Sequence, residues 1–127
     1  MFDKIDYTNI EISDKLEYVV NDAISEEKVE NMSEYNSKVI RKYMKFHGMV
    51  QGVGFRYRAE HAANLVGATG WVRNDPDGSV SMEIQGTEEQ IDKVIIMIEK
   101  GSYIDIQRMD AKSINVIADE RGFKTRR

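Results

Sequence analysis

The stretch Gly48-Met49-Val50-Gln51-Gly52-Val53-Gly54-Phe55-Arg56 restricts what this chain can fold into more than any other. Three glycines fall within seven residues and apolar positions hem them in, so the backbone can turn back on itself and approach a ligand closely. Before it, Tyr43-Met44-Lys45-Phe46-His47 alternates with the period of a strand. After it, Phe55, Ala59, Ala62, Ala63 and Val66 recur at helical spacing. The pattern predicts strand, glycine loop and helix, with Arg56 in the first helical turn. Successive N–H groups in such a loop and at a helix N-terminus attract an anion. A guanidinium adds a charge whose planar fork matches phosphate oxygens. The loop therefore reads as a phosphate cradle. Taken alone, the same residues also suit a plain strand-to-helix turn with Arg56 solvated. No Gly-Lys-Ser/Thr follows, and Tyr57 stands where G-x-G-x-x-G requires its third glycine, so neither common nucleotide-loop pattern is present.

A length of 127 residues supports one domain with a modest core. The absence of cysteine excludes disulfides and thiolate chemistry and fits a reducing compartment. Met1-Phe2-Asp3-Lys4-Ile5-Asp6 carries acids where a signal peptide carries an apolar run, and no stretch reaches membrane-spanning length. The expectation is a soluble, cytoplasmic monomer without membrane partners. Charge is uneven: residues 1–40 hold four basic and ten acidic side chains, the rest fourteen and twelve. A mildly basic compact part suits a small anionic ligand and falls short of a nucleic-acid stripe.

Residues 1–38 form an acidic leader, expected to be disordered or partly helical. Ile12, Leu16, Val19, Val20 and Ala23 share one helical face that Ser13 can cap, and no strand pattern is present. Such a segment can be a disordered leader, a helix docked on the domain or a partner-binding helix.

The domain itself, residues 39–127, is better patterned. A strand from about Ile40 to His47 leads through the loop to a helix from about Val53 to Val66, which Gly67 can close. Thr69 to Asn74 reads as a second strand and Asp75-Pro76-Asp77-Gly78 as a tight turn. In the third strand Val80, Met82 and Ile84 face in, and Ser81, Glu83 and Gln85 face out. Thr87-Glu88-Glu89-Gln90 is a capping box opening a second helix that buries Ile91, Val94, Ile95 and Ile98 and closes at Gly101. A fourth strand lies between Tyr103 and about Ile117, and Gly122 to Arg126 adds a short fifth. The order βαββαβ predicts an α+β, ferredoxin-like sandwich, with an antiparallel sheet of four to five strands and two helices on one face.

That topology brings separate positions to one edge. The first and second strands run the same way with the third between them, so Asn74 lies at the edge of the loop and Arg56, across two strand spacings or roughly 10 Å. A neutral amide can hold a water but is too weak a base to deprotonate it; alone, Asn74 reads equally as a strand-end turn residue. Phosphoryl transfer needs mainly positioning and charge stabilisation, which these groups supply. With no evident general acid and no Asp/Glu/His cluster for a metal, the residue set favours acyl phosphates, whose carboxylate leaves without protonation, over alkyl phosphates.

The first motif, together with Gly70-Trp71-Val72-Arg73-Asn74-Asp75-Pro76-Asp77-Gly78-Ser79-Val80 and a glycine at Gly86, closely resembles the two signatures of the acylphosphatase family. The resemblance runs from about Ile40 to Arg127. It implies hydrolysis of acyl phosphates to carboxylate and phosphate with neither metal, cofactor nor covalent intermediate. It further implies that Arg56 binds the phosphate, that Asn74 orients the attacking water, and that Gln51, Gly52, Val53, Gly54 and Phe55 supply main-chain donors. The partners implied are a small acyl phosphate and inorganic phosphate. Met49 stands where a basic residue is common, which weakens long-range attraction of substrate, and the leader has no counterpart in the minimal domain. Similar domains occur fused to a hydrogenase-maturation carbamoyltransferase; nothing follows Arg127 in this sequence, so a stand-alone enzyme is expected.

The remaining residues are assigned structural places. His47 and His61 are expected at the surface, Trp71 and Phe55 in the core, and Arg121, Lys124, Arg126 and Arg127 along a solvated edge. RNA-recognition domains share the topology but need exposed aromatics on the central strands, which Val80 to Gln85 lack. The alternative function is a phosphate or acyl-phosphate sensing domain that binds without turnover.

Overall fold

The computed structural model describes residues 38–127 and, ahead of them, the backbone of Asp3–Ile5. In chain order the elements are β1 (Asp3–Ile5), β2 (Val39–Met49), α1 (Phe55–Val66), β3 (Thr69–Asn74), β4 (Val80–Thr87), α2 (Glu88–Glu99), β5 (Asp105–Ile114) and β6 (Phe123–Arg126). They form one sheet in the order β1-β5-β2-β4-β3-β6. The segment β2 to β5 is the expected ferredoxin-like βαββαβ unit, and its β4 lies between β2 and β3 as the sequence implies.

Two expectations about the sheet need correction. First, it is mixed: β6 lies parallel to β3, from Gly70↔Phe123 to Arg73↔Arg126. The chain leaves β5 at the edge away from the glycine loop and crosses to the far side of the sheet, so its next strand must run in the direction of β3. Second, the leader holds a strand where none was expected, and the sheet has six strands. Asp3–Ile5 pairs with the outer edge of β5 from Asp3↔Ala111 to Ile5↔Met109. An open edge accepts a short segment through main-chain bonds alone, and three residues are too few for a side-chain period to show. The helical face expected from Ile12 to Ala23 lies outside the described residues.

Local signals set the element ends. Helix α1 begins at Phe55, two residues later than the apolar period implies, because Gly54 adopts φ 84° and cannot be part of the helix. It closes at Gly67, whose N–H donates to the Ala63 carbonyl. The capping box forms in full: the Gln90 N–H donates to Thr87 Oγ1 at 3.2 Å, and the Thr87 N–H donates to Gln90 Oε1 at 2.7 Å. Gln90 Nε2 also donates to the Val66 carbonyl at 2.8 Å, tying the start of α2 to the end of α1.

Both helices pack on one face of the sheet, where Met44, Phe46, Val72, Met82, Ile84 and Met109 meet Phe55, Ala59, Ile91 and Ile95. Each large apolar side chain so buried contributes about 1.5–3 kcal/mol. Trp71 is buried but stands apart from this cluster, contrary to expectation. Strand alternation gives the core position to Val72 and turns Trp71 to the other face, beneath the guanidinium carbons of Arg73 (5.1 Å) and Arg126 (4.7 Å). Arg126 is exposed, as expected of that edge, and also forms half of a cationic clamp on the Trp71 ring. On that same face Arg41 is almost wholly buried and bidentate to Glu120, at 2.7 and 3.1 Å, with Glu83 at 2.9 Å. Burial alone would raise the Glu120 pKa, but Arg41 outweighs it and holds the carboxyl below the ordinary range.

The strand leading to Asn74 has one position that only glycine fits. Gly70 has φ 137°, and a Cβ there would lie 1.9 Å from the Glu83 carbonyl oxygen of the neighbouring strand. Gly70→Ala is expected to destabilise the fold by about 3 kcal/mol or more, combining backbone strain with overpacking. Urea midpoints of the two proteins measure this; a loss below about 1 kcal/mol would mean that β3 and β4 separate cheaply at this point.

Candidate active site

The glycine loop is anchored at both ends and open between. Val50 and Phe55 are buried, and the Phe55 ring packs on Phe46 with centroids 4.9 Å apart. Between them Gly52 and Gly54 are exposed and adopt φ 72° and 84°, while Gln51 and Val53 are half-buried. A Cβ at Gly52 or Gly54 would meet nothing within 4 Å, so the backbone conformation, and not crowding, calls for glycine. Gly54 is also the N-cap of α1 and provides no side-chain cap. Among the described residues, no hydrogen bond takes up the N–H groups of Gln51, Gly52, Val53, Gly54 or Phe55. The result is a row of main-chain donors at a helix N-terminus, with the Phe55 side chain committed to the core.

Arg56 follows in the first turn of α1, half-buried and without a hydrogen bond or ion pair among the described residues. Arg58, two residues on, is already engaged: its Nε and Nη2 donate to the Met97 carbonyl at 3.1 and 2.9 Å, which fixes α1 to α2. Only the first of these two arginines keeps its donor fork uncommitted.

Asn74 is the last residue of β3, paired with Val80, and half-buried. Its Oδ1 is buried without a hydrogen-bond partner among the described residues. An amide oxygen in this position is an open acceptor on the glycine loop's side of the sheet. The loop and the turn after Asn74 are in contact: Gln51 Nε2 donates to the carbonyls of Asp75 at 2.7 Å and Ser79 at 2.8 Å. Sequence reasoning used only the Gln51 main chain. Its side-chain partners lie 24 and 28 positions away and leave no trace in local spacing; an amide in an otherwise glycine and apolar loop was the one available signal.

The turn itself is heavily braced. Asp75 N–H donates to the Ser79 carbonyl at 2.9 Å, and Gly78 N–H to the Asp75 carbonyl at 3.2 Å. The Ser81 hydroxyl donates to Asp75, the Ser79 hydroxyl lies between Asp77 at 2.5 Å and Asp75 at 3.2 Å, Arg73 Nε reaches Asp75 Oδ1 at 3.2 Å, and Lys45 pairs with Asp77 at 3.2 Å. Burial by itself would raise the Asp75 pKa. The hydrogen bonds from Ser81, Arg73 and Ser79, with the Lys45 charge, outweigh it and keep the carboxyl below its ordinary range. The acid next to Asn74 is thus held ionised at neutral pH and has no proton to offer a leaving group.

Of the two histidines expected at the surface, His61 is fully there, and His47 is half-covered because Asp110 and Arg108 engage it. His47 is half-buried with Asp110 at 3.2 Å and Arg108 at 3.0 Å, and His61 is exposed, stacked on Tyr57 with centroids 6.3 Å apart. Among the described residues no three acidic or histidine side chains converge as metal ligands, and no helix is long and apolar enough to cross a membrane.

A family model described as acylphosphatase matches residues 42–125. The chain belongs to the acylphosphatase family. An acylphosphatase of Bordetella parapertussis is 35% identical over 96 residues, covering 76% of this chain and 93% of the relative. One from Geobacillus kaustophilus is 40% identical over 85 residues, 66% of this chain and 90% of the relative. The structure of an acylphosphatase from Coxiella burnetii superposes with a TM-score of 0.63 at 25% identity, over 75% of this chain and 100% of that one. The chain is an enzyme of this acylphosphatase family, and the braced turn, the glycine loop and Arg56 all lie within the matched residues. The leader lies outside them.

Proposed function

We propose that the chain hydrolyses carboxyl-phosphate anhydrides to carboxylate and inorganic phosphate without a metal ion. Arg56 and the N–H groups of Gln51 to Phe55 hold the phosphoryl oxygens, and Asn74 orients a water for in-line attack. The water oxygen bonds to phosphorus as the bond from phosphorus to the acyl oxygen breaks. The electron pair leaves on the carboxylate, and the water proton passes to phosphate oxygen or solvent. The donors neutralise charge on the equatorial oxygens, while the amide supplies orientation and no base strength. The observation that carries this reading is the placement, at one edge of the sheet, of a donor row and an Asn74 Oδ1 that have no partner among the described residues, joined through Gln51.

Substrate class follows from the leaving group. A carboxylate departs unprotonated, whereas an alkoxide needs an acid, and Asp75 is held ionised. Acetyl or benzoyl phosphate is therefore expected to turn over at an unchanged rate in excess EDTA, and simple alkyl phosphates not at all. Loss of acyl-phosphate turnover on chelation, with recovery on adding a divalent cation, would overturn the metal-free mechanism. Tight binding of inorganic phosphate with no turnover would instead favour the sensing alternative.

A further inference from the structure

We infer that the side chain of Gln51 is a positioning residue for hydrolysis: it sets the distance between the phosphate loop and Asn74. This rests on the water-orienting reading of Asn74 above. Strands β2 and β3 are not neighbours, because β4 lies between them. No ladder hydrogen bond therefore links the loop after β2 to the residue ending β3. The Gln51 amide spans the gap and spends both of its N–H bonds on main-chain carbonyls, Asp75 at 2.7 Å and Ser79 at 2.8 Å. The Ser79 carbonyl also accepts the Asp75 N–H at 2.9 Å, and that N–H belongs to the peptide group joining Asn74 to Asp75. Gln51 is thus one shared acceptor away from the main chain of Asn74.

The hairpin does not need this contact in order to close. Its two main-chain bonds, the Ser79 and Ser81 hydroxyls on Asp75 and Asp77, and the Lys45 to Asp77 pair already define the turn. What those bonds leave open is where the turn stands relative to the loop. Both Gln51 acceptors are main-chain atoms, so the bridge holds whatever side chains occupy the turn. In-line attack is sensitive to such spacing, since a misplacement of about 1 Å can lower a rate by about 10²-fold.

Gln51→Met keeps the side-chain length and removes both donors. It is expected to lower kcat for benzoyl phosphate by about 10- to 100-fold, with inhibition by inorganic phosphate changed by less than about threefold, because the N–H row and Arg56 remain. Gln51→Asn keeps the amide on a shorter stem and should fall between Gln51→Met and the native protein; it also serves if the methionine variant fails to fold. The deciding measurement is Gln51→Met combined with Asn74→Ala. If Gln51 acts through Asn74, the double variant is as slow as Asn74→Ala alone, within about threefold. A bridge that merely stabilises the fold would lower the melting temperature and leave kcat within about threefold of native, or give losses that multiply; either result overturns the inference. If Asn74→Ala itself leaves kcat unchanged, the water-orienting reading falls and this inference with it. Independent losses beside an intact Asn74 effect sink the inference alone.

Discussion

Arg56→Ala is expected to lower kcat/KM for acetyl and benzoyl phosphate by about 10³-fold or more, with inhibition by inorganic phosphate weakened in parallel. An arginine that stabilises a transferring phosphoryl group contributes about 10³ to 10⁵ in rate in other phosphoryl-transfer enzymes. The lower end applies here because Arg56 is half-exposed and its charge is partly screened. Nothing within the described residues competes for its fork, so no internal salt bridge must break when phosphate binds. Arg58 cannot replace it, being held on the Met97 carbonyl. Arg56→Lys should restore only a small part, since an ammonium gives a point charge without the paired, planar contact. Phosphate inhibition and kcat/KM measured together decide the matter. If Arg56→Ala bound inorganic phosphate as tightly as the native chain, the arginine would not be a phosphate ligand.

The second large effect separates binding from chemistry. Asn74→Ala is expected to lower kcat by about 10²- to 10³-fold, the scale for removing one preorganised polar group, equivalent to about 3–4 kcal/mol of barrier. Inorganic phosphate should bind within about threefold of native, because the loop and Arg56 are untouched. A loss confined to kcat, with phosphate affinity kept, marks a residue that serves the chemical step. Unchanged kcat in this variant would remove the water-orienting role.

How much of this was readable beforehand depended on the range of the interaction concerned. The capping box, the Gly67 cap and the Asp75 to Gly78 turn are local, and their partners lie within five residues. The facing of Met44, Phe46, Val80, Met82 and Ile84 follows from alternation. Trp71 was misplaced because period two says which residues share a face but not which face takes the helices when both flanks are apolar. Strand β6 was foreseen, but its parallel pairing depends on the path of the crossing chain.

The candidate site divides the same way. Residue types, their order and the edge they share are properties of the chain: a glycine loop between a strand and a helix, an arginine in that helix's first turn, and an asparagine at the end of the next parallel strand. Local sterics and strand direction suffice for those. Tertiary structure alone decided that, among the described residues, Arg56 is left uncommitted while Arg58 is used and the Asn74 oxygen has no partner, and that Gln51 crosses to the turn 24 residues away. These are outcomes of competition among groups distant in the chain, and donors and acceptors meet their partners only once the sheet has brought them within hydrogen-bond reach.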